Sequence, residues 1–264
     1  MKRLTPAFAA EAFAVSNLAF LGVDIAVAHA ENHFASPMEW LPVGFSALAT
    51  ILLVPTLFVP LRRLTIVVAT GSILLGVMGM IFHLRSGFFV EQTLRALVYA
   101  APFAAPLAYV GVGLLLLLSR LEEPETTTWS AWVLFLALGG FVGNFVLTLT
   151  DHAQNAFFSR SEWIAVGSSA FAVGFLVVAA LQPHDRAHLR ATQLVLLLQI
   201  AVGILGAVLH WRGIFTRPGA TFTDRVLHGP PAFAPLLFVD LALLAGIGIW
   251  SLRRAPAPGQ KAQQ

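Results

Sequence analysis

Residues 29–49, HAENHFASPMEWLPVGFSALA, align without a gap onto residues 152–172, HAQNAFFSRSEWIAVGSSAFA, with 12 of 21 positions identical. Two apolar segments drawn from similar composition do not place His, Asn, Phe, Ser, Glu and Trp at the same spacing twice. The match continues downstream. Ile73, Gly76, Gly79, His83 and Arg85 correspond to Ile200, Gly203, Gly206, His210 and Arg212; after a longer loop, Arg95, Leu97, Phe103, Ala104 and Leu107 correspond to Arg225, Leu227, Phe233, Ala234 and Leu237. The recurring unit is a half-protein of roughly 127 residues, carrying two histidines and two arginines that a lipid-facing helix does not need.

The chain is 58% hydrophobic and 11% charged, with a mean hydropathy of +0.80. Ordinary soluble domains carry about 25% charged residues, so this composition belongs in a bilayer. Apolar runs near the ~20 residues that cross a hydrocarbon core as a helix occur at 7–29, 40–59, 64–82, 97–118, 129–150, 163–181, 191–209 and 232–251. The expectation is an all-α integral membrane protein with eight transmembrane helices. These form two tandem parallel four-helix repeats, residues 1–122 and 123–254, followed by a disordered tail at 255–264. An even number of spans per repeat gives both copies the same orientation, related by an axis along the membrane normal.

Lys and Arg in the connections set that orientation. With the N-terminus in the cytoplasm, ten basic residues lie inside (Lys2, Arg3, Arg62, Arg63, Arg120, Arg186, Arg190, Arg253, Arg254, Lys261). Six lie outside (Arg85, Arg95, Arg160, Arg212, Arg217, Arg225). Both termini are therefore expected in the cytoplasm of a bacterial-type inner membrane. The pI of 9.9 rests on these flanking charges and gives no argument for nucleic acid. Lys2-Arg3, an apolar stretch and Ala28-His29-Ala30 mimic a cleavable signal peptide. The same His-Ala-x-Asn element ends the fifth span at 152–155, which argues for a retained first helix. No cysteine is present, so any metal is held by His, Asp, Glu, Asn or Met.

Six of the eight histidines fall on the outer side: His29, His33, His83, His152, His210 and His228. The matched ones close the first and third spans (His29, His83) and the fifth and seventh (His152, His210). In an up-down bundle these spans run parallel on a diagonal, so each pair ends at one height. The separation expected, somewhat more than the 8–10 Å between adjacent helices, suits imidazoles on opposite faces of a haem. A small ion requires bending or a third ligand. Arg85, Arg95, Arg212 and Arg225 run against the charge rule and suit carboxylates or phosphates at headgroup level. The competing reading is interfacial anchoring and inherited packing.

Other polar residues have structural readings. Ser36-Pro-Met-Glu39 and Ser159-Arg-Ser-Glu162 have the capping-box form, which makes Glu39 and Glu162 helix caps, and Trp40 and Trp163 are interfacial anchors. Asn32 and Asn155 read as C-terminal caps or turns. Gly76, Gly79, Gly203 and Gly206 read as close helix approach, or as room for a flat cofactor. Intramembrane Asp240 and Asp24 are candidate proton or solute groups, with Gln193 and Gln199 beside them. Asp240 aligns with Val110 and is alternatively an ion-pair partner of Arg225 or Arg212. His184 and His188 read as solvated.

The general plan is similar to that of the haem A synthase family, in which duplicated four-helix bundles hold haem through histidine pairs near the outer face. That family carries its histidines on even-numbered helices, in a Glu-x-x-x-His element and often with a cysteine pair. Here they lie on odd-numbered helices without that element. The leading expectation is an inner-membrane protein binding haem b or a transition metal through His29/His83 and His152/His210, in electron transfer or redox chemistry. The alternatives are a small-solute transporter or channel between the halves, and a non-catalytic subunit of a membrane complex. Expected partners are the lipid bilayer and a membrane-complex partner or second copy, with no nucleic acid.

Overall fold

A computed structural model describes residues 4–218 and 221–255, so the expected tail at 255–264 lies, but for Ala255, outside the described residues. Among these residues the chain forms helices and turns without a strand. The long helices are α1 (Pro6–Ala30), α2 (Trp40–Leu53), α3 (Arg62–Arg85), α4 (Leu107–Leu121), α5 (Thr127–Gln154), α6 (Glu162–Leu181), α7 (Arg186–Thr216) and α8 (Leu236–Arg254). Short 3₁₀ turns at Pro37–Glu39 and Val54–Leu57 extend α2 at both ends. Counting that extended unit, seven helices among the described residues are long and apolar enough to cross a membrane. This is a multi-pass membrane protein.

The fourth expected span, 97–118, is not one helix. It is divided into Leu94–Tyr99 and α4, because Pro102 and Pro106 interrupt helical hydrogen bonding between them. The 15 residues of α4 rise only about 22 Å, short of the ~30 Å hydrocarbon core. Prolines 230, 231 and 235 likewise separate the short helix Phe222–Leu227 from the 19-residue α8.

Local sequence sets several helix starts. Thr5 and Thr126 accept hydrogen bonds from the backbone N–H groups of Phe8 and Trp129, and Asp185 accepts from those of Ala187 and His188. Helix α1 packs on α2 and α4, and α3 packs on α4 and α2; α5 packs on α6 and α8, and α7 on α8 and α6. The two groups meet through α1 with α8 and α4 with α5. Trp129 and Phe141 are fully buried and Tyr109 nearly so, while Ile51, Val67, Leu74 and Leu194 each expose about two thirds of their surface. An apolar exterior of this kind is what acyl chains solvate.

The matched glycines produce close helix approach. A Cβ on Gly76 would lie 2.7 Å from the Pro106 carbonyl oxygen, and one on Gly203 would lie 2.9 Å from that of Pro235. Gly79 and Gly206 meet Pro106 and Pro235 in the same way. The space considered for a flat cofactor is therefore filled by the starts of α4 and α8. These contacts also correct the register of the last span. Val110 and Val239 touch equivalent glycines, so Asp240 corresponds to Gly111, not Val110.

Candidate functional site

Each histidine pair is built from the end of a helix upward. Beyond α1, the Phe34 N–H donates to the His29 carbonyl and the His33 N–H to that of Ala30; beyond α5, Phe157 donates to His152 and Ala156 to Ala153. This pair of bonds is a Schellman cap, which needs a left-handed residue after the helix. His33 (φ 58°) and Ala156 (φ 53°) supply it, and Phe34 (φ 52°) and Phe157 (φ 49°) continue it. As expected, Asn155 is the C-cap of α5 and Asn32 lies in the turn after α1, each directly before the left-handed residue.

The cap aims its phenylalanine in both directions. Phe34 stacks on Trp40 at 3.8 Å and meets the His29 ring edge-on at 6.1 Å; Phe157 stacks on Trp163 at 4.1 Å and lies 6.2 Å from His152. Trp40 and Trp163 thus anchor the turn that fixes the histidine, beyond their expected interfacial role.

His29 and His83 come together with ring centroids 6.4 Å apart and planes inclined at 70°. The rings are closer than helix spacing suggested. His152 and His210 lie within electrostatic range of each other. All four rings are partly buried.

Their second contacts define the tautomers. Nδ1 of His83 is 2.9 Å from the Pro102 carbonyl oxygen, Nδ1 of His210 is 2.7 Å from that of Pro231, and Nδ1 of His29 is 3.3 Å from that of Glu39. A carbonyl oxygen only accepts, so Nδ1 carries the proton in each case, and a neutral ring keeps its lone pair on Nε2. Nδ1 of His152 is 3.4 Å from the Glu162 carboxylate, at ion-pair distance without hydrogen-bond alignment. The proline breaks before α4 and α8 therefore have a use: they place the Pro102 and Pro231 carbonyls that orient His83 and His210.

Two carboxylates accompany the rings. Glu39 lies within electrostatic range of His83, and Glu162 is buried beside His152. Oε2 of each is buried without a hydrogen-bond partner. The expected capping box closes only in part: the Ser159 N–H donates to Glu162 Oε1 at 3.3 Å, whereas Ser36 caps through its own hydroxyl alone, accepting from the Met38 N–H. From sequence these glutamates read as helix caps, and their nearness to the rings was not read. The available signal was their position ten residues after the matched histidine in both copies. Among the described residues, no three His, Asp or Glu side chains already stand as a metal-ligating group.

The arginines are less concentrated. Arg85, Arg95 and Arg212 are exposed, while Arg225 donates to the Phe215 carbonyl and keeps a buried Nε without a partner. Asp240 accepts from Asn17 Nδ2 at 2.9 Å, and not from Arg225 or Arg212. Asp24 is half-buried near Tyr109, whose hydroxyl donates to the Pro42 carbonyl and bonds Ser46. Gln193 bonds Arg253, and Gln199 donates to the Ser168 carbonyl. His188 is not solvated: it lies on α7, stacks on Phe175 at 5.4 Å, and its Nε2 bonds the Phe175 carbonyl. His33 and His228 are exposed. No protein-family model matches the chain, and comparisons with curated proteins and with solved structures gave no match.

Proposed function

We propose that this is a bacterial inner-membrane protein of two tandem four-helix halves, with both termini cytoplasmic. Each half holds a haem or a transition metal at the extracytoplasmic end through a histidine pair, His29/His83 and His152/His210. One observation carries the reading: at matched positions, Nδ1 of each imidazole faces an acceptor. Protein ligands to metals almost always have this outer-shell bond, which fixes the ring and leaves Nε2 as the donor atom. A histidine that only anchors a helix end to the interface has no need of the tautomer that His29, His83 and His210 share. The bound group would supply electron-transfer or Lewis-acid chemistry, and the chain's part is to orient the ligands at the headgroup boundary.

Transport between the halves draws less support, because Asp240 and Gln193 are each occupied by a structural partner, Asn17 and Arg253. The test is an absorption spectrum of the detergent-purified chain, oxidised and dithionite-reduced, with elemental analysis. A Soret band or a stoichiometric transition metal that is lost in His83→Ala and His210→Ala supports the reading. Absence of both after supplementation with haem and metals overturns it.

A further inference from the structure

We propose that the outer half of α1 holds one acyl chain of an outer-leaflet phospholipid, in a recess where the two halves of the protein meet. Only the choice of leaflet rests on the orientation proposed above. The recess itself does not depend on the histidine sites.

The recess has a volume of about 460 Å³ and is lined by alanine, glycine, valine and leucine. Helix α1 lines it from Ala19 to Ala30, α2 adds Val43 and Ala47, and Leu227 of the short helix Phe222–Leu227 reaches it from the second half. Val23 and Ala47 are exposed, so the recess opens to the bilayer.

Duplication shows how the sequence keeps it open. Carried back along two unbroken helices, the repeat register sets Ala19, Gly22 and Ala26 of α1 against Val142, Phe145 and Leu149 of α5. The second half therefore puts its own hydrocarbon where the first half has almost none. The counterpart short helix, Leu94–Tyr99, is also clamped: it packs on α5, and Gln154 Nε2 donates to the Val98 carbonyl. In the first half Glu31 stands at the position of Gln154. It is exposed, and an ionised carboxylate cannot donate. The carbonyl matching that of Val98 belongs to His228 and accepts from Arg217 instead.

Dimensions select the occupant. From Ala19 to Ala30 the helix rises about 16 Å, close to the ~15 Å of hydrocarbon in one leaflet. Spread over that length, 460 Å³ leaves a mean cross-section of about 30 Å², whereas a helix about 10 Å wide needs about 80 Å². Helix α2 cannot move aside, because a Cβ on Gly22 would already lie 2.9 Å from that of Ser46. A second copy of this chain therefore does not fit, and a single hydrocarbon chain does. Filling the recess restores the dispersion contacts that its lining otherwise lacks on one side, and the bilayer supplies phospholipid chains at that surface.

The experiment counts the lipid that full-length protein retains through gel filtration in detergent, by native mass spectrometry, and identifies it after extraction. The expected result is one phospholipid per chain. Two variants fill the recess from different walls: Ala19→Val with Ala26→Leu, which installs residues of the second half, and Ala47→Leu. Each is expected to lower retention by about 10-fold or more, with helical circular dichroism and elution volume unchanged because none of the three alanines is buried. Leu194→Phe, on an exposed face of α7, is expected to retain the lipid. Five results overturn the inference: no phospholipid on the wild type; undiminished retention in both filled variants; an equal loss in Leu194→Phe, which makes the lipid a general coat; an isoprenoid quinone in place of the phospholipid; or a wild-type dimer that the filled variants dissociate. All five leave the histidine pairs untouched, which the absorption spectrum and elemental analysis test separately.

Discussion

Glu11 on α1 and Arg120 on α4 form an ion pair with side chains only 18% and 10% exposed, and Arg120 also donates to Thr65. The same register steps place Leu134 and Ile249 at the corresponding positions of α5 and α8, and both are fully buried. The second half therefore shows what the first looks like with the charges replaced by hydrocarbon. Removing one partner of a buried pair strands the other charge at a cost of about 3–5 kcal/mol, whereas replacing the pair by apolar residues of similar volume is often neutral or stabilising. Glu11→Leu and Arg120→Ile should each destabilise the protein by about 3 kcal/mol or more, and the double variant should return to within about 1 kcal/mol of wild type. The resulting coupling of several kcal/mol is measurable by reversible unfolding in mixed micelles of increasing SDS fraction. Additive losses in the double variant would refute the equivalence of the two helix pairs. Two near-neutral single variants would refute the buried pairing.

Three further outcomes follow from the packing. Gly76→Val and Gly203→Val drive side-chain carbon into a proline carbonyl and should lower stability by about 1–3 kcal/mol, whereas Gly44→Ala and Gly167→Ala, with nothing within 4 Å of the new Cβ, should not; the same micelle titration checks both. Ala156→Gly relieves a left-handed alanine and should stabilise the protein by about 0.5–1 kcal/mol, read as a raised Tm. Asp240→Leu leaves the Asn17 amide with only its Phe13 carbonyl acceptor and should cost about 1–3 kcal/mol. If uptake into proteoliposomes is found and Asp240→Asn abolishes it without loss of stability, the structural role given to that residue is wrong.

The helices were legible because bilayer thickness imposes a length and a composition that any window detects. The histidine pairs were legible because duplication wrote them twice. The break before α4 was less so: alanines and leucines around Pro102 and Pro106 keep the hydropathy high while the prolines end the helix. The glutamates read as helix caps from their spacing, and only Glu162 closes its box. Only the three-dimensional arrangement shows that capping uses one carboxylate oxygen of Glu162 and leaves the other beside an imidazole. Asp240 was misaligned by one residue because the loop before α8 is longer than its counterpart, and a sequence match cannot say where the extra residues sit. His188 looked solvated for want of a periodic pattern, yet Phe175 on the neighbouring helix supplies its environment.

The account turns on where the imidazole protons are. Long-range ¹H–¹⁵N correlation spectra of the apo protein, with His83→Gln, His210→Gln and the corresponding His29 and His152 variants for assignment, report the tautomer of each ring. The account predicts Nδ1-bound protons on His29, His83 and His210, with Nε2 resonances that shift when Zn²⁺ is added. Nε2-protonated rings at these positions, or Nε2 resonances indifferent to every ion and to haem, would contradict it.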